Sequence, residues 1–223
     1  MMDYRLICSR RRTIALIVQN DGALVVRAPL RAPEEAIREF VARKADWIRK
    51  QQARARRLAE ATVRRYVDGE TFFYLGQAYA LKIVPPCRPA LRLTEVFELS
   101  RSAQPQAEAV FVRWYRARAA EVLAERVEAL ARQHGFALKK VRITSARSRW
   151  GSCSPTGTLS FPWRLVMAPP AVIDYVVVHE LVHLDIKNHS PAFWARVGEI
   201  LPDYKKHVAW LRRNGRRLTL GGG

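Results

Sequence analysis

Five residues in the last quarter of the chain constrain it more than any others: His179-Glu180-Leu181-Val182-His183. Side chains four apart on an α-helix project about 40° apart around the axis, so both imidazoles lie on one face. Nitrogen ligands at that spacing reach a single Zn²⁺ at about 2.0–2.1 Å, and H-E-x-x-H on a helix is the pattern of zinc hydrolases. Glu180, about 100° round the helix from His179, is expected to face a water on the metal and not the metal itself. His189 follows His183 by six residues, about 600° on a continued helix, so it reaches the same point only if the helix ends and the chain turns back. Asn188 is expected to take the left-handed conformation that ends helices, and Ser190-Pro191 read as cap and first residue of a new helix. His179, His183 and His189 are therefore the candidate metal ligands, with Glu180 the candidate base. The chain has five histidines in all, so three of them at ligand spacing are hard to assign to chance.

Lys+Arg number 39 against 20 Asp+Glu, a formal charge of +19. Such a field attracts nucleic acid, acidic membrane surfaces or anionic substrates. The charge is dispersed and mostly Arg, however, and solubility alone also accounts for it. Cys8, Cys87 and Cys153 are far apart and form no C-x-x-C, which argues for reduced thiols in a cytoplasmic protein and against a disulfide scaffold. Arg10-Arg11-Arg12 before Thr13–Val18 imitates a signal peptide, but the apolar run stops after six residues. No run approaches the ~20 apolar residues of a membrane span, so a soluble chain is expected.

Residues 4–28 read as a β-hairpin, with Thr13–Val18 and Ala23–Ala28 flanking the turn Asn20-Asp21-Gly22. Ala32-Pro33-Glu34-Glu35 opens a helix whose Ile37, Phe40, Val41, Trp47 and Ile48 share one core-facing stripe. From Lys50 to Arg65 the pattern is Arg-rich, either a solvated helix or a cationic face for nucleic acid or an acidic partner. Tyr66–Val84 reads as a second hairpin bending at Gly76-Gln77, Leu91–Leu99 as a further strand, and Ser102–Gln106 as a loop. A long helix is expected over Gln106–His134, stopped by Gly135, with His134 near its end set aside as a ligand. Lys139–Ala146 and Thr158–Phe161 read as strands around a glycine- and hydroxyl-rich loop, and Ser190–Ile200 and Asp203–Arg213 as short helices. Gly221–Gly223 is expected to be a flexible tail.

Several motifs then coincide. Arg149-Trp150-Gly151-Ser152-Cys153, Trp163-Arg164-Leu165, Ala168-Pro169, Tyr175 through Leu181, Asn188-His189-Ser190 and Phe193-Trp194 together closely resemble the YgjP-like metallopeptidase family, relatives of the SprT-like and WLM zinc peptidases. Asp21-Gly22, Ala28-Pro29, Lys44 with Trp47-Ile48, and Tyr74-Leu75-Gly76 extend the likeness through the N-terminal half. The resemblance implies an α+β chain with a compact zincin-like domain of the minigluzincin type, a mixed sheet and an active-site helix, preceded by a β/α N-terminal portion. With a soft boundary at the Ser102–Gln106 loop, the portions are 1–103 and 104–223. It also implies one Zn²⁺ on His179, His183 and His189, with Glu180 as catalytic base. The His189 spacing equals that of metzincins, but Ile186 stands where they carry a turn glycine.

The expected activity is a zinc metallopeptidase acting on a peptide or protein substrate, with Glu180 moving the proton of the attacking water. By analogy with zincins, an extended substrate is expected to pair with an edge strand, and Thr158–Phe161 is the candidate. Arg147, Arg149 and Tyr204 are candidates to assist an oxyanion or an anionic substrate group, and Trp150, Trp163 and Trp194 are expected to pack. Two other classes stay open: a zinc phosphohydrolase of nucleotides, with surplus Arg holding phosphates, and a nucleic-acid-associated protein carrying a zinc site.

Overall fold

The computed structural model describes residues 3–19, 21–62 and 64–221, and the side chains of all of these but 58–62. Two separate hydrophobic clusters form, one in each of two units: Met1–Val63 with Gly221–Gly223, and Arg64–Leu220.

In the first unit, β2 (Ala15–Val18) and β3 (Leu24–Pro29) make the expected antiparallel hairpin. Asn20 lies outside the described residues. The neighbouring Asp21 carboxylate accepts the Ala23 N–H at 2.8 Å, and Gly22 takes φ +86°, which a Cβ would oppose. The chain before the hairpin adds β1 (Arg5–Ser9) parallel to β3, so the order is β1-β3-β2. Being central, β3 is the buried strand: Leu24, Val26 and Ala28 meet Ile37 and Val41 of α1 (Glu34–Arg43) and Ile48 of α2 (Ala45–Thr62). One continuous helical stripe was expected here, and two helices are found, parted at Lys44 (φ −102°, ψ 11°). Ile48 stays on the stripe of Ile37 and Val41, whereas Trp47, about 100° before it round the helix, is 44 % exposed where core packing was expected. Arg54, Arg56 and Arg57 of α2 are exposed.

The second unit is built round α3 (Ala107–His134), which buries Val110, Phe111, Tyr115, Ala119, Leu123, Val127 and Ala131 along one stripe. Its C-terminal stop is Gly135 at φ +75°, as the sequence implies. Against it lies a sheet of order β4-β5-β7-β6: β4 (Thr71–Tyr74), β5 (Gln77–Val84), β6 (Leu91–Leu93) and β7 (Phe97–Ser100). The single strand expected over Leu91–Leu99 is an antiparallel pair, β6 and β7. Phe72 stacks on Phe111 at 4.3 Å between centroids and Phe97 lies 5.3 Å from it, so residues before 104 share the core of α3. The compact units accordingly part at Val63/Arg64, whereas loop chemistry in the sequence suggested 103/104; the stretch Arg101–Gln106 is a 3-10 turn leading into α3.

The other sheet has order β8-β10-β9, from β8 (Lys140–Thr144), β9 (Ser152–Cys153) and β10 (Thr158–Pro162). Thr158–Phe161 is thus the central strand, parallel to β8 and antiparallel to β9, and cannot be the edge expected to receive substrate. Both its ladders are already filled, and β8 and β9 hold the two edges. After a 3-10 turn at Trp163–Met167 comes α4 (Pro170–Asp185), then α5 (Pro191–Ile200) and α6 (Tyr204–Asn214). The β4–β5 turn, with Leu75 at φ +49° and Gly76 at φ +80°, donates its two N–H groups to the carbonyls of Val166 (2.8 Å) and Met167 (3.2 Å). A Cβ on Gly76 would come within 2.8 Å of Pro169 Cα, so this turn fits closely against the residue that opens α4.

Among the described residues the three cysteines are free, and no helix is long and apolar enough to cross a membrane. Phe111 is fully buried between the α3 stripe and three aromatic neighbours. Phe111→Ala is expected to lower stability by about 3–5 kcal/mol, read as the shift of a urea unfolding curve.

Candidate active site

Helix α4 is apolar almost all round: Val172, Ile173, Tyr175, Val176, Val177, Val178, Leu181 and Val182 are buried. That makes it a rigid element of the core, and the imidazoles of His179 and His183 leave it on one side, as their spacing requires. The helix stops at Asp185, with Ile186 extended (φ −115°, ψ 101°). The turn back is not made as expected. Asn188 has no positive φ; instead its side-chain oxygen accepts the Ser190 N–H at 3.2 Å, a side chain-to-backbone turn. Lys187 supplies the rest: its ammonium donates to the carbonyls of His183 (2.9 Å) and Leu184 (2.6 Å) in the last turn of α4. A cation there satisfies orphan carbonyls and suits the negative end of the helix. Ser190 then caps α5, its hydroxyl accepting the Phe193 N–H at 3.4 Å, with Pro191 in the first turn as the sequence indicates.

The result is that three imidazoles meet. Nε2 of His189 lies 3.1 Å from Nε2 of His179 and 3.2 Å from Nε2 of His183. Nδ1 of His183 faces the Ile186 carbonyl at 3.0 Å. A carbonyl only accepts, so that nitrogen carries the proton, and in the neutral ring Nε2 is left with a lone pair. Burial, and secondarily the neighbouring rings, push the His179 pKa down to about 4; burial also lowers His183, against its hydrogen bond to Ile186. Imidazole nitrogens gathered at one point in this way are able to hold a cation. Ligands at about 2.0–2.1 Å on a tetrahedral ion stand about 3.3–3.4 Å apart. The two separations from His189 are close to that, and all three ring nitrogens lie within 4.8 Å of one another, so these residues fit a small metal ion.

Aromatic rings hold the cluster. Phe193 lies 4.5 Å from the His183 ring and 4.9 Å from those of His179 and His189. Trp194 stacks on His189 (5.7 Å, 24°) and on Tyr204 (5.5 Å, 16°), and Tyr204 in turn lies over Tyr175 (6.5 Å, 17°). The Tyr204 ring is therefore part of the stack that steadies His189.

Glu180 is 5 % exposed. Burial pushes its carboxyl up to about 7, against the opposing charge of Arg149. Arg147 and Arg149 are both exposed on the loop before β9, and the charge of Arg149 bears on Glu180. The charge of Arg147 bears on Arg164, which sequence reasoning passed over as a site residue. Arg164 is 8 % exposed, lies over the Trp163 ring at 5.6 Å and donates to the Ala146 carbonyl, so it holds that loop. A charged residue inside an apolar run, Trp163-Arg164-Leu165, was the available signal.

Metal-stripped protein should lose stability as pH falls. His179 is held neutral when folded, with its pKa near 4, but takes a proton near 6.5 when unfolded. Its contribution is thus fully present above pH 6.5 and lost progressively toward pH 4. Urea unfolding in the presence of chelator, compared with His179→Gln, checks this; a slope identical in the two proteins contradicts it.

A family model for the YgjP-like metallopeptidase domain matches residues 12–214. Among solved structures, the chain is similar to the crystal structure of the metallopeptidase zymogen of Pyrococcus abyssi abylysin. The identity is 22 % and the TM-score 0.39, over 42 % of this chain and 96 % of that one. No curated protein matches the chain. On the family match, which spans both units, the chain belongs to the YgjP-like metallopeptidase domain family, whose chemistry depends on a metal ion.

Proposed function

We propose that this protein is a zinc metallopeptidase in which His179, His183 and His189 hold the ion and Glu180 is the catalytic base. The observation that carries the reading is the approach of His189 Nε2 to those of His179 and His183, at 3.1 and 3.2 Å, with the latter two rings on the same helix as a buried glutamate. An all-imidazole set leaving a fourth position open suits catalytic Zn²⁺ over Mg²⁺ or Ca²⁺, which prefer oxygen. When bound, zinc lowers the pKa of a coordinated water from 15.7 to about 7 and polarises the scissile carbonyl.

The chain's own residues supply the rest. Glu180 takes the proton of the attacking water and passes it to the leaving amine. Its burial excludes bulk water from the carboxylate and keeps the group basic until a cation is present. Arg149, whose charge already bears on Glu180, is the candidate to meet an anionic group of the substrate. Arg147, on the same loop, is the second candidate for that role. Tyr204 is proposed to act through Trp194 and His189, not on the oxyanion.

An extended peptide pairs with the exposed edge of a sheet through main-chain hydrogen bonds. Beside α4 that edge is β9, since β10 has partners on both sides. The phosphohydrolase and nucleic-acid readings rest on overall charge alone.

Glu180→Gln should lower peptide cleavage about 10²–10⁴-fold while zinc content stays at the wild-type level. His189→Ala should lose both. The check is an unbiased peptide-cleavage screen with metal analysis of the same samples; full activity in Glu180→Gln contradicts the assignment.

A further inference from the structure

Gly151 begins the segment that leads into β9, and its Cα lies directly against Glu180. A Cβ built there would stand 2.7 Å from Cδ of Glu180 and closer still to Cγ and Oε1. Ordinary van der Waals contact begins at 3.4 Å. The backbone of Gly151 is not in the left-handed region, since its φ is absent from the positive values found among the glycines. An alanine could therefore adopt the same backbone, and what glycine provides here is space.

Neither side of this contact is free to retreat by moving its backbone. On one side, Ser152 and Cys153 are tied into the sheet opposite Ser160 and Leu159. Just before Gly151, the Trp150 indole sits so close to Gly215 that a Cβ there would be 3.0 Å from its Cζ2. Further back, Arg164 holds the Ala146 carbonyl and the Ala146 N–H reaches Thr144 Oγ1 at 3.4 Å. On the other side, α4 is buried almost all round. The part that can yield is the Glu180 side chain, from Cγ at 2.5 Å out to the carboxylate.

We infer that Gly151 is a positioning residue: its bare Cα is the wall that fixes where the Glu180 carboxylate sits relative to the three imidazoles. This rests on the proposed role of Glu180 as base. A methyl at 151 drives the carboxylate away by about 1 Å, taken from the gap between 2.7 Å and normal contact at Cδ. A displacement of that size in a proton-transfer group costs about 10²-fold in rate.

The test uses the zinc-loaded full chain. Gly151→Ala should lower kcat about 10²-fold with KM, zinc content and melting temperature close to wild type. Its crystal structure should show the Glu180 carboxylate moved and the three imidazoles unmoved. A merely structural role would lower stability and zinc content together and leave the carboxylate in place. Unchanged kcat, or a carboxylate in the wild-type position beside the new methyl, overturns the inference. If Gly151→Ala does not fold, adding Glu180→Ala removes the atoms the methyl meets and should restore folding; failure of that pair to fold also overturns it. If wild-type protein cleaves no peptide, the peptidase reading falls by itself, and the carboxylate position in the two structures still decides the role of Gly151.

Discussion

Three imidazoles gathered so that the His189 nitrogen lies at about hydrogen-bond distance from the other two are the constraint on which the rest of this structure depends. Two come from consecutive turns of α4 and need only helical spacing. The third must be brought back from beyond the helix end, and most of the local architecture serves that return. Lys187 closes the last carbonyls of α4, Asn188 turns the chain, Ser190 starts α5, and Phe193 and Trp194 then present rings to the histidines. The His183–Ile186 hydrogen bond adds tautomer selection, which leaves the lone pair where a cation would want it.

The core explains why the site can be held to such tolerances. Helix α4 is buried on nearly every face, and the β4–β5 turn bonds to the backbone just before it through Leu75 and Gly76. A site on a fully packed helix inherits the helix's rigidity, whereas one on a loop must make its own. His189 is the loop residue of the set, and it is the one that receives an aromatic stack reaching through Trp194 and Tyr204 to Tyr175. Glu180 is confined differently, by burial and by the absence of a side chain at Gly151.

What could be read from residues alone was whatever depended on local period or local backbone chemistry. The H-E-x-x-H spacing, the long α3 stripe ended by Gly135 and the Ser190-Pro191 helix start all belong to that kind. Features set by distant partners were not legible. Whether Thr158–Phe161 is an edge or a centre is decided by β8 and β9 pairing to it from both sides, and nothing within those residues records this. The unit boundary depends on Phe72 and Phe97 packing on Phe111, contacts invisible to the loop-like composition near residue 104. Trp47 is exposed because it stands about 100° from Ile48, off the stripe that Ile37, Val41 and Ile48 share. The role of Gly151 needed coordinates altogether, since a glycine in a loop ordinarily signals a turn.

The most direct measurement is anomalous diffraction at the zinc edge from crystals grown or soaked with the ion. The account predicts one strong peak bonded to the Nε2 atoms of His179, His183 and His189 at about 2.0–2.1 Å, with a fourth position not filled by protein. No peak there, or a peak from which the ring of His189 is turned away, would contradict it.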